Sequence, residues 1–323
     1  MKYLKLCSTD PYRNLAIEEY LFLHAEGDVF MLWQNEPTVV IGRNQNAYAE
    51  VNREYTESRG IHIARRITGG GAVYHDLGNL NYTFISSGSG VRTLDFAAFT
   101  APIVEVLGEL GAQVALSGRN DLEIDGRKIS GNAQYAEGGR VLHHGTLLFD
   151  TDLDVLAEAL IVDEEKIKAR SVRSTRSRVA NLREYLPRVA SAAELAERIL
   201  EVLRERYGAE ELPLPESEEI DALAARNSSH GWLYPERGVA AGHELRAKRR
   251  YPFGTVEVKL SAVGELISSA QISGDFFGTE PIAELERLFV GARLSELPTL
   301  IRGTDVGAYI YGMSTEELTE LIK

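Results

Sequence analysis

Apolar and polar positions recur along this chain with two periods, one helical and one extended. Near the start, Asp10-Pro11 has the character of a helix cap and first turn. Ile17, Tyr20, Leu21 and His24 follow at i, i+3, i+4 and i+7, with Gly27 past the end, which predicts one amphipathic helix. VFMLW (29–33) and TVVIG (38–42) are short apolar runs around a proline-containing turn and are expected to pair as strands. HIARRIT (62–68) and LNYTFIS (80–86) are further strand segments, and DFAAFTAPIVEVLGELG (95–111) reads as a helix with a buried face. DLEIDGRKISGNAQ (121–134) holds a tight Asp125-Gly126 hairpin turn, and VLHHGTLLFD (141–150) is the next strand.

From about residue 152 the pattern turns helical, in DLDVLAEAL and then along EYLPRVASAAELAERILEVLRERYG. LPLPESEE (212–219) leads into another helix. After Tyr251-Pro252 the strands return: TVEVKLSAVGELISSAQIS (255–273) is a hairpin, followed by helical segments at 281–290 and 314–322. A strand-rich front, helices over it and a small mixed tail argue for an α+β protein, with mixed or antiparallel sheets flanked by helices. The boundary is expected near 246–251, dividing the chain into units 1–246 and 247–323.

Composition narrows the function classes. The chain has 323 residues, which suits two domains, and one cysteine, which makes neither an intramolecular disulfide nor a cysteine-based zinc site. That usage fits a reducing, cytoplasmic compartment. The start MKYLKLCSTDPYRN turns polar too soon for a secretion signal, and no apolar run reaches about 18 residues, so no membrane span is expected. A net charge of -13, from 35 basic and 48 acidic residues, argues against nucleic acid as a partner.

Against this acidic background four stretches carry candidate chemistry. In ARRITGGGAVYHDLGNLNYTFI (64–85), Gly69, Gly70 and Gly71 leave backbone N–H groups uncovered, able to converge on an anion, and Arg65 and Arg66 add guanidinium donors. His75, Asp76, Asn79 and Asn81 follow. The spacing is neither the dinucleotide fingerprint nor a Walker loop. In SGRNDLEIDGRKISGNAQ (117–134), Asn120 and Asp121 are oxygen donors of the kind Mg²⁺ takes, and Lys128 stands among small residues where it can approach a ligand as a point charge. His143 and His144 are neighbours on a strand and point to opposite faces, so one of them, taken as His144, shares a site with Lys128; a structural role is equally open. Lys166 to Arg178 is a basic, Ser-rich stretch, including Arg173 and Arg176, that either orders over an anion or faces solvent.

Taken in order and spacing, RRITGGGAVYHDLGNLNYTF, GRNDLEIDGRKISGNAQ, HHGTLLFD and SVRSTRSRVANL resemble lipoate–protein ligases of the long bacterial type, over nearly the whole chain. The tail from RYPFGTVEVKL resembles that family's small C-terminal domain. The resemblance implies the biotin/lipoate-ligase fold and an ATP-dependent ligation, with Mg²⁺, in which lipoate or octanoate is activated as its adenylate and passed to a lysine on a carrier. The implied carriers are lipoyl domains of 2-oxoacid dehydrogenases and the glycine-cleavage H protein. Matched by motif, Arg66 and the run Gly71, Ala72, Val73 and Tyr74 fall in the nucleotide-contacting segment. Lys128 matches the lysine touching both acyl carboxyl and phosphate, and Asn120 and Asp121 fall near Mg²⁺ and adenylate. Segments 39–41 and 73–74 are expected as walls for the acyl chain.

Two alternatives remain within reach of the same motifs. One is an octanoyl or lipoyl transferase, which needs a cysteine nucleophile. Cys7 is far in sequence from Lys128 and is expected to be a small buried apolar residue. The other is a non-catalytic carrier-binding homologue, against which the intact Arg66, Gly69–Gly71, Asp121 and Lys128 argue.

Overall fold

The computed structural model describes residues 1–87, 94–161, 178–235 and 243–323. Eight strands form the main sheet: β1 (Lys2–Lys5), β2 (Val29–Trp33), β6 (Asn79–Ser87), β7 (Ala115–Ser117), β8 (Asp121–Ile124), β9 (Arg127–Glu137), β10 (Arg140–Leu148) and β11 (Glu210–Glu211). Their order is β11-β1-β2-β6-β10-β9-β8-β7, with β1 parallel to both its neighbours and the remaining pairs antiparallel. The sheets are mixed and helices flank them, as expected.

The main sheet is apolar on both faces because its strands are. In β2, Phe30 and Leu32 point to one side and join Leu80, Tyr82, Phe84 and Leu147 beneath the helices Phe96–Glu109 and Ala192–Tyr207. Val29, Met31 and Trp33 point to the other and pack with Leu15, Ile17, Leu21 and Phe22 of the helix Pro11–His24. That helix starts where the sequence places it: the Asp10 carboxylate accepts from the Tyr12 and Arg13 N–H groups, a cap worth about 1 kcal/mol.

A second sheet, β4-β3-β5, stands over this second face, with β3 (Thr38–Ile41) between β4 (His62–Arg65) and β5 (Val73–His75). Here the expectation that 29–33 and 38–42 pair with each other fails: β2 lies in the main sheet and β3 in the small one. The link between them crosses from sheet to sheet, and buried Asn35 within it is held by Asn14 and His75. The small sheet splits its own faces. Val39, Ile41 and Tyr74 form an outer cluster, and Val40 turns inward to the main core.

The third sheet, β12 (His243–Tyr251), β13 (Gly254–Val263) and β14 (Leu266–Gly274), is an antiparallel meander with its own core against Leu285 and Phe289. β12 pairs with β13 along its whole length, so the expected division at 246/247 falls inside a continuous strand. Two further readings are corrected. The expected helix from 184 onward is helical over Ala192–Tyr207, because Pro187 lacks an N–H and Ser191 caps the later start. Cys7 is exposed, not buried, since β1 ends at Lys5 and it is Leu6 that turns into the core.

Candidate active site

Between the main and small sheets lies a cavity that encloses about 590 Å³ when its open mouth is counted. Its floor is a row of residues running across the strands. Trp33 on β2 faces Asn81 on β6, Asn81 faces Thr146 on β10, and the Gly131 N–H on β9 donates to Thr146 Oγ1 at 3.1 Å. Three strand spacings separate β2 from β9, so the cavity extends roughly 14 Å from its Trp33 end to its Lys128 end. Leu15, Trp33, Val40 and Val73 supply apolar walls; Arg66, Asn120, Lys128 and His144 supply polar ones.

Lys128 follows the Asp125-Gly126 turn, whose residues both have positive φ. A register shift at Leu122/Glu123 bends β8 against β9 beside it, a device that re-aims side chains. Lys128 Nζ then folds back to 2.8 Å from Asp121 Oδ1, with each side chain about a third exposed, 35% and 32%. Gly131 provides the room: a Cβ there would lie 2.9 Å from Lys128 Nζ. Asn120 is fixed through its backbone and amide, its Nδ2 donating to Asn132 O at 2.6 Å and its carbonyl accepting from Asn132 Nδ2 at 3.0 Å. Of the basic stretch 166–178, Lys166, Arg173 and Arg176 lie outside the described residues; Arg178 accepts the Lys128 N–H at its carbonyl, 2.6 Å away.

The two arginines divide, as neighbours at a strand end must. Arg65 points away from the cavity and is enclosed by carbonyls of Gly42, Arg43, Gln45, Trp232 and Leu233. Arg66 borders it. Its Nε donates to Thr68 Oγ1 at 2.8 Å, Nη1 to Val40 O at 3.1 Å, and Nη2 to Gly69 O and Gly71 O at 2.8 Å each. Arg66 therefore acts first as the clasp of the glycine loop. Burial lowers its pKa to about 10, with Glu18 opposing the shift and Arg65 adding to it.

The glycines divide too. Gly70, Gly71, Ala72 and Val73 border the cavity. Gly69 is a packing glycine: a Cβ there would meet Phe276 O at 2.4 Å, where the third sheet's end leans on the loop. The Gly70 N–H, with φ +90°, donates to that same carbonyl at 3.2 Å. The tyrosine ring at 74 lies in the outer cluster with Val39 and Ile41, so of the expected acyl walls Val40 and Val73 border the cavity and these three side chains do not.

His143 and His144 take opposite faces, as expected. His143 stacks on Phe99 at 5.2 Å, and burial holds its pKa well below the usual range. His144 borders the cavity, with Nδ1 2.9 Å from Glu18 Oε1 and Nε2 2.9 Å from Thr68 Oγ1. Glu18 also accepts from Thr83 Oγ1 at 2.6 Å. It is a partner the sequence reading missed, although Asn14 and Glu18, four apart on the buried face of an apolar helix, are a legible signal. Trp33, in the apolar run 29–33, and Leu15 are likewise cavity walls that were not among the expected ones.

Among the described residues no cluster of three or more His, Cys, Asp or Glu side chains could hold a metal, and no helix is long and apolar enough to cross a membrane.

Residues 10–204 match the family described as lipoyl protein ligase A/B catalytic domain, and residues 240–322 match bacterial lipoate protein ligase C-terminus. The lipoate-protein ligase LplJ of Bacillus subtilis is 38% identical over 323 residues, covering 97% of each chain. Lipoate-protein ligase A bound with ATP superposes with a TM-score of 0.61 at 27% identity, covering 72% of this chain and 99% of that one. P. falciparum LipL1 in complex with lipoate shares the fold with a TM-score of 0.80 at 21% identity, covering 99% of this chain and 97% of that one.

Proposed function

The chain belongs to the lipoate–protein ligase family, and from that membership we propose that its cavity is where lipoate meets ATP. The reaction is ATP-dependent ligation of lipoate. In the first step a carboxylate oxygen of lipoate attacks the α-phosphorus of ATP, forming lipoyl-AMP and expelling pyrophosphate. In the second, the amine of a carrier lysine attacks the acyl carbon, loses a proton, forms the amide and expels AMP. ATP supplies the activation, so no protein nucleophile is required. Cys7, exposed after β1, is not among the cavity's walls, which disfavours a thioester route.

The observation that carries this reading is the polarity of the cavity: apolar at Trp33 and Leu15, cationic at Lys128, roughly three strand spacings apart. An extended eight-carbon acid fits that gradient with its carboxylate toward Lys128. Carboxylate and triphosphate repel each other. Lys128, the remaining Arg66 N–H and the loop amides of Gly71 and Ala72 offset that repulsion, and more strongly as charge builds on the phosphorus oxygens. Lys128 is the catalytic residue of this proposal. Arg66 and Gly69 shape the loop, and His144 borders the chain.

Asn120 and Asp121 suit Mg²⁺, which takes one or two protein carboxylates and completes its shell with phosphate and water oxygens: Asp121 presents one partly exposed carboxylate beside the cavity's cationic end. Bound there, the ion would neutralise phosphate charge. The carriers in this proposal are lipoyl domains of 2-oxoacid dehydrogenases and the glycine-cleavage H protein, and the compartment is the cytoplasm. The catalytic and accessory units divide ahead of β12, so that the strand stays whole.

The reading is tested by lipoate-dependent exchange of labelled pyrophosphate into ATP without carrier. Exchange is expected. No exchange, together with acylation of a lipoyl domain from an acyl-carrier thioester, would mean a transferase.

A further inference from the structure

One residue along from the cavity floor, three of the same strands carry a second row whose side chains point to the opposite, helix-covered face. Tyr82 on β6 faces Gly145 on β10, and Gly145 faces Asn132 on β9. β6 and β9 are two strand spacings apart, about 9.6 Å. The Tyr82 hydroxyl nevertheless donates to Asn132 Oδ1, because the residue between them has no side chain. A Cβ at Gly145 would lie 2.1 Å from Asn132 Oδ1 and 2.6 Å from the Tyr82 hydroxyl oxygen.

The direction of this bond is fixed by its far end. Asn132 Nδ2 lies 3.0 Å from the Asn120 carbonyl, which only accepts, and 3.2 Å from Ser130 Oγ. The amide therefore presents nitrogen there and oxygen to Tyr82, whose hydroxyl must be the donor. Burial raises the Tyr82 pKa, opposed by a hydrogen bond with Ser130, so the hydroxyl keeps its proton. The ring is sealed in the core that holds Phe30, Leu32, Leu80 and Phe84, where packing alone asks only for phenylalanine. A hydroxyl is costly in such a place unless it is paired, and Asn132 supplies the partner.

What Asn132 holds is the corner before β8. The Asn132 backbone N–H and Nδ2 both donate to the Asn120 carbonyl, at 2.9 and 3.0 Å, and Asn120 Nδ2 donates to the Asn132 carbonyl at 2.6 Å. The corner lies at the thin end of the main sheet. β8 and β7 are its last strands, β7 is three residues long with Ala115 and Leu116 exposed, and the ladder from β8 to β9 slips at Leu122/Glu123. Asp121, the next residue, carries the carboxylate 2.8 Å from Lys128 Nζ.

We propose that Tyr82 is a positioning residue for Lys128, acting across Gly145: its hydroxyl sets the Asn132 amide, the amide sets the Asn120–Asp121 corner, and Asp121 sets the ammonium. The proposal rests on the reading of Lys128 as the group that stabilises adenylate formation. Without the hydroxyl, Asn132 Oδ1 loses its donor in a buried place, and the amide loses the contact that fixes its orientation.

The experiment measures single-turnover lipoyl-AMP formation by the full chain, for wild type, Tyr82→Phe, Asn132→Ala and the double variant. Tyr82→Phe keeps the ring and is expected to slow the step about 5- to 20-fold, part of the roughly 100-fold lost when a reacting group shifts by an ångström, with the lipoate concentration for half-maximal rate within about twofold of wild type. In the Asn132→Ala background the same change should cost less than about twofold, because the relay is already broken. Losses that multiply in the double variant, or a wild-type rate in Tyr82→Phe, overturn the Tyr82 assignment alone. No adenylate from wild type overturns the reading of the cavity and this proposal with it. Amide hydrogen exchange needs no substrate and stands even if Asn132→Ala folds poorly. In Tyr82→Phe the Asn132 N–H should exchange about 10-fold faster while the amides of β2 keep their wild-type protection, since one corner and not the whole sheet is released. Unchanged exchange at Asn132, or uniform speeding along the sheet, contradicts the proposal.

Discussion

Lys128 Nζ lies 2.8 Å from Asp121 Oδ1, on neighbouring strands and at the polar end of the cavity. Each side chain is about a third exposed, and the pair is worth little to stability. Its consequence is positional: the ammonium is folded back over β9 toward the cavity instead of extending into water.

Gly131 makes that fold possible. Its replacement by Ala puts a methyl 2.9 Å from Nζ, and the flexible lysine, not the backbone, will give way. Gly131→Ala should therefore leave the melting temperature almost unchanged while lowering the adenylation rate by as much as about 100-fold, the cost of misplacing a reacting group by an ångström. Rapid-quench measurement of adenylate formation checks this; a wild-type rate would show that Lys128 needs no such room.

Gly69 should behave in the opposite way. A Cβ there meets the Phe276 carbonyl at 2.4 Å, and backbone cannot swing aside. Gly69→Ala is expected to lose about 1–3 kcal/mol in denaturant unfolding, as overpacked sites do. Gly108, in the helix Phe96–Glu109 with open space around it, is the control: Gly108→Ala should be neutral or gain up to about 1 kcal/mol. Equal effects at the two positions would mean that the third sheet does not press on the loop in solution.

His75 predicts a pH dependence. Its folded pKa, about 3, lies below the ordinary 6.5, so between those values the unfolded chain binds the extra proton. The neutral ring's contribution is then complete above pH 6.5 and is lost as the pH falls toward 3, with a slope of up to about 1.4 kcal/mol per pH unit. His143, depressed by burial, acts in the same direction. Denaturant midpoints at pH 7 and 5 should fall less steeply for His75→Phe than for wild type. Parallel slopes would contradict a buried neutral His75.

Much of this arrangement was legible from local pattern. Asp10-Pro11 marked a helix start, Asp125-Gly126 a hairpin, and the helical and alternating periods named most elements within a few residues. The motifs around Arg66, Asn120 and Lys128 do meet in one cavity. What local pattern could not supply was the partner across the fold. VFMLW and TVVIG look alike, yet one is a central strand of the main sheet and the other roofs the cavity. Three consecutive glycines suggested one shared role, whereas Gly69 is small because Phe276 lies against it, a contact 207 residues away in sequence. Leu15 sits in the first helix and Trp33 in the apolar run 29–33, and only the approach of the small sheet turns them into cavity wall. Cys7 shows the limit of residue-type expectation, since one position along the chain decides between core and solvent.

The central claim, that Lys128 stabilises the charge formed when lipoate meets ATP, is tested most directly by single-turnover formation of lipoyl-AMP without carrier. Lys128→Ala should lower that rate by about 100- to 1,000-fold, the usual loss for one preorganised donor to a transition-state oxygen, with the fold and melting temperature retained. Adenylate formation at the wild-type rate in Lys128→Ala would contradict the account.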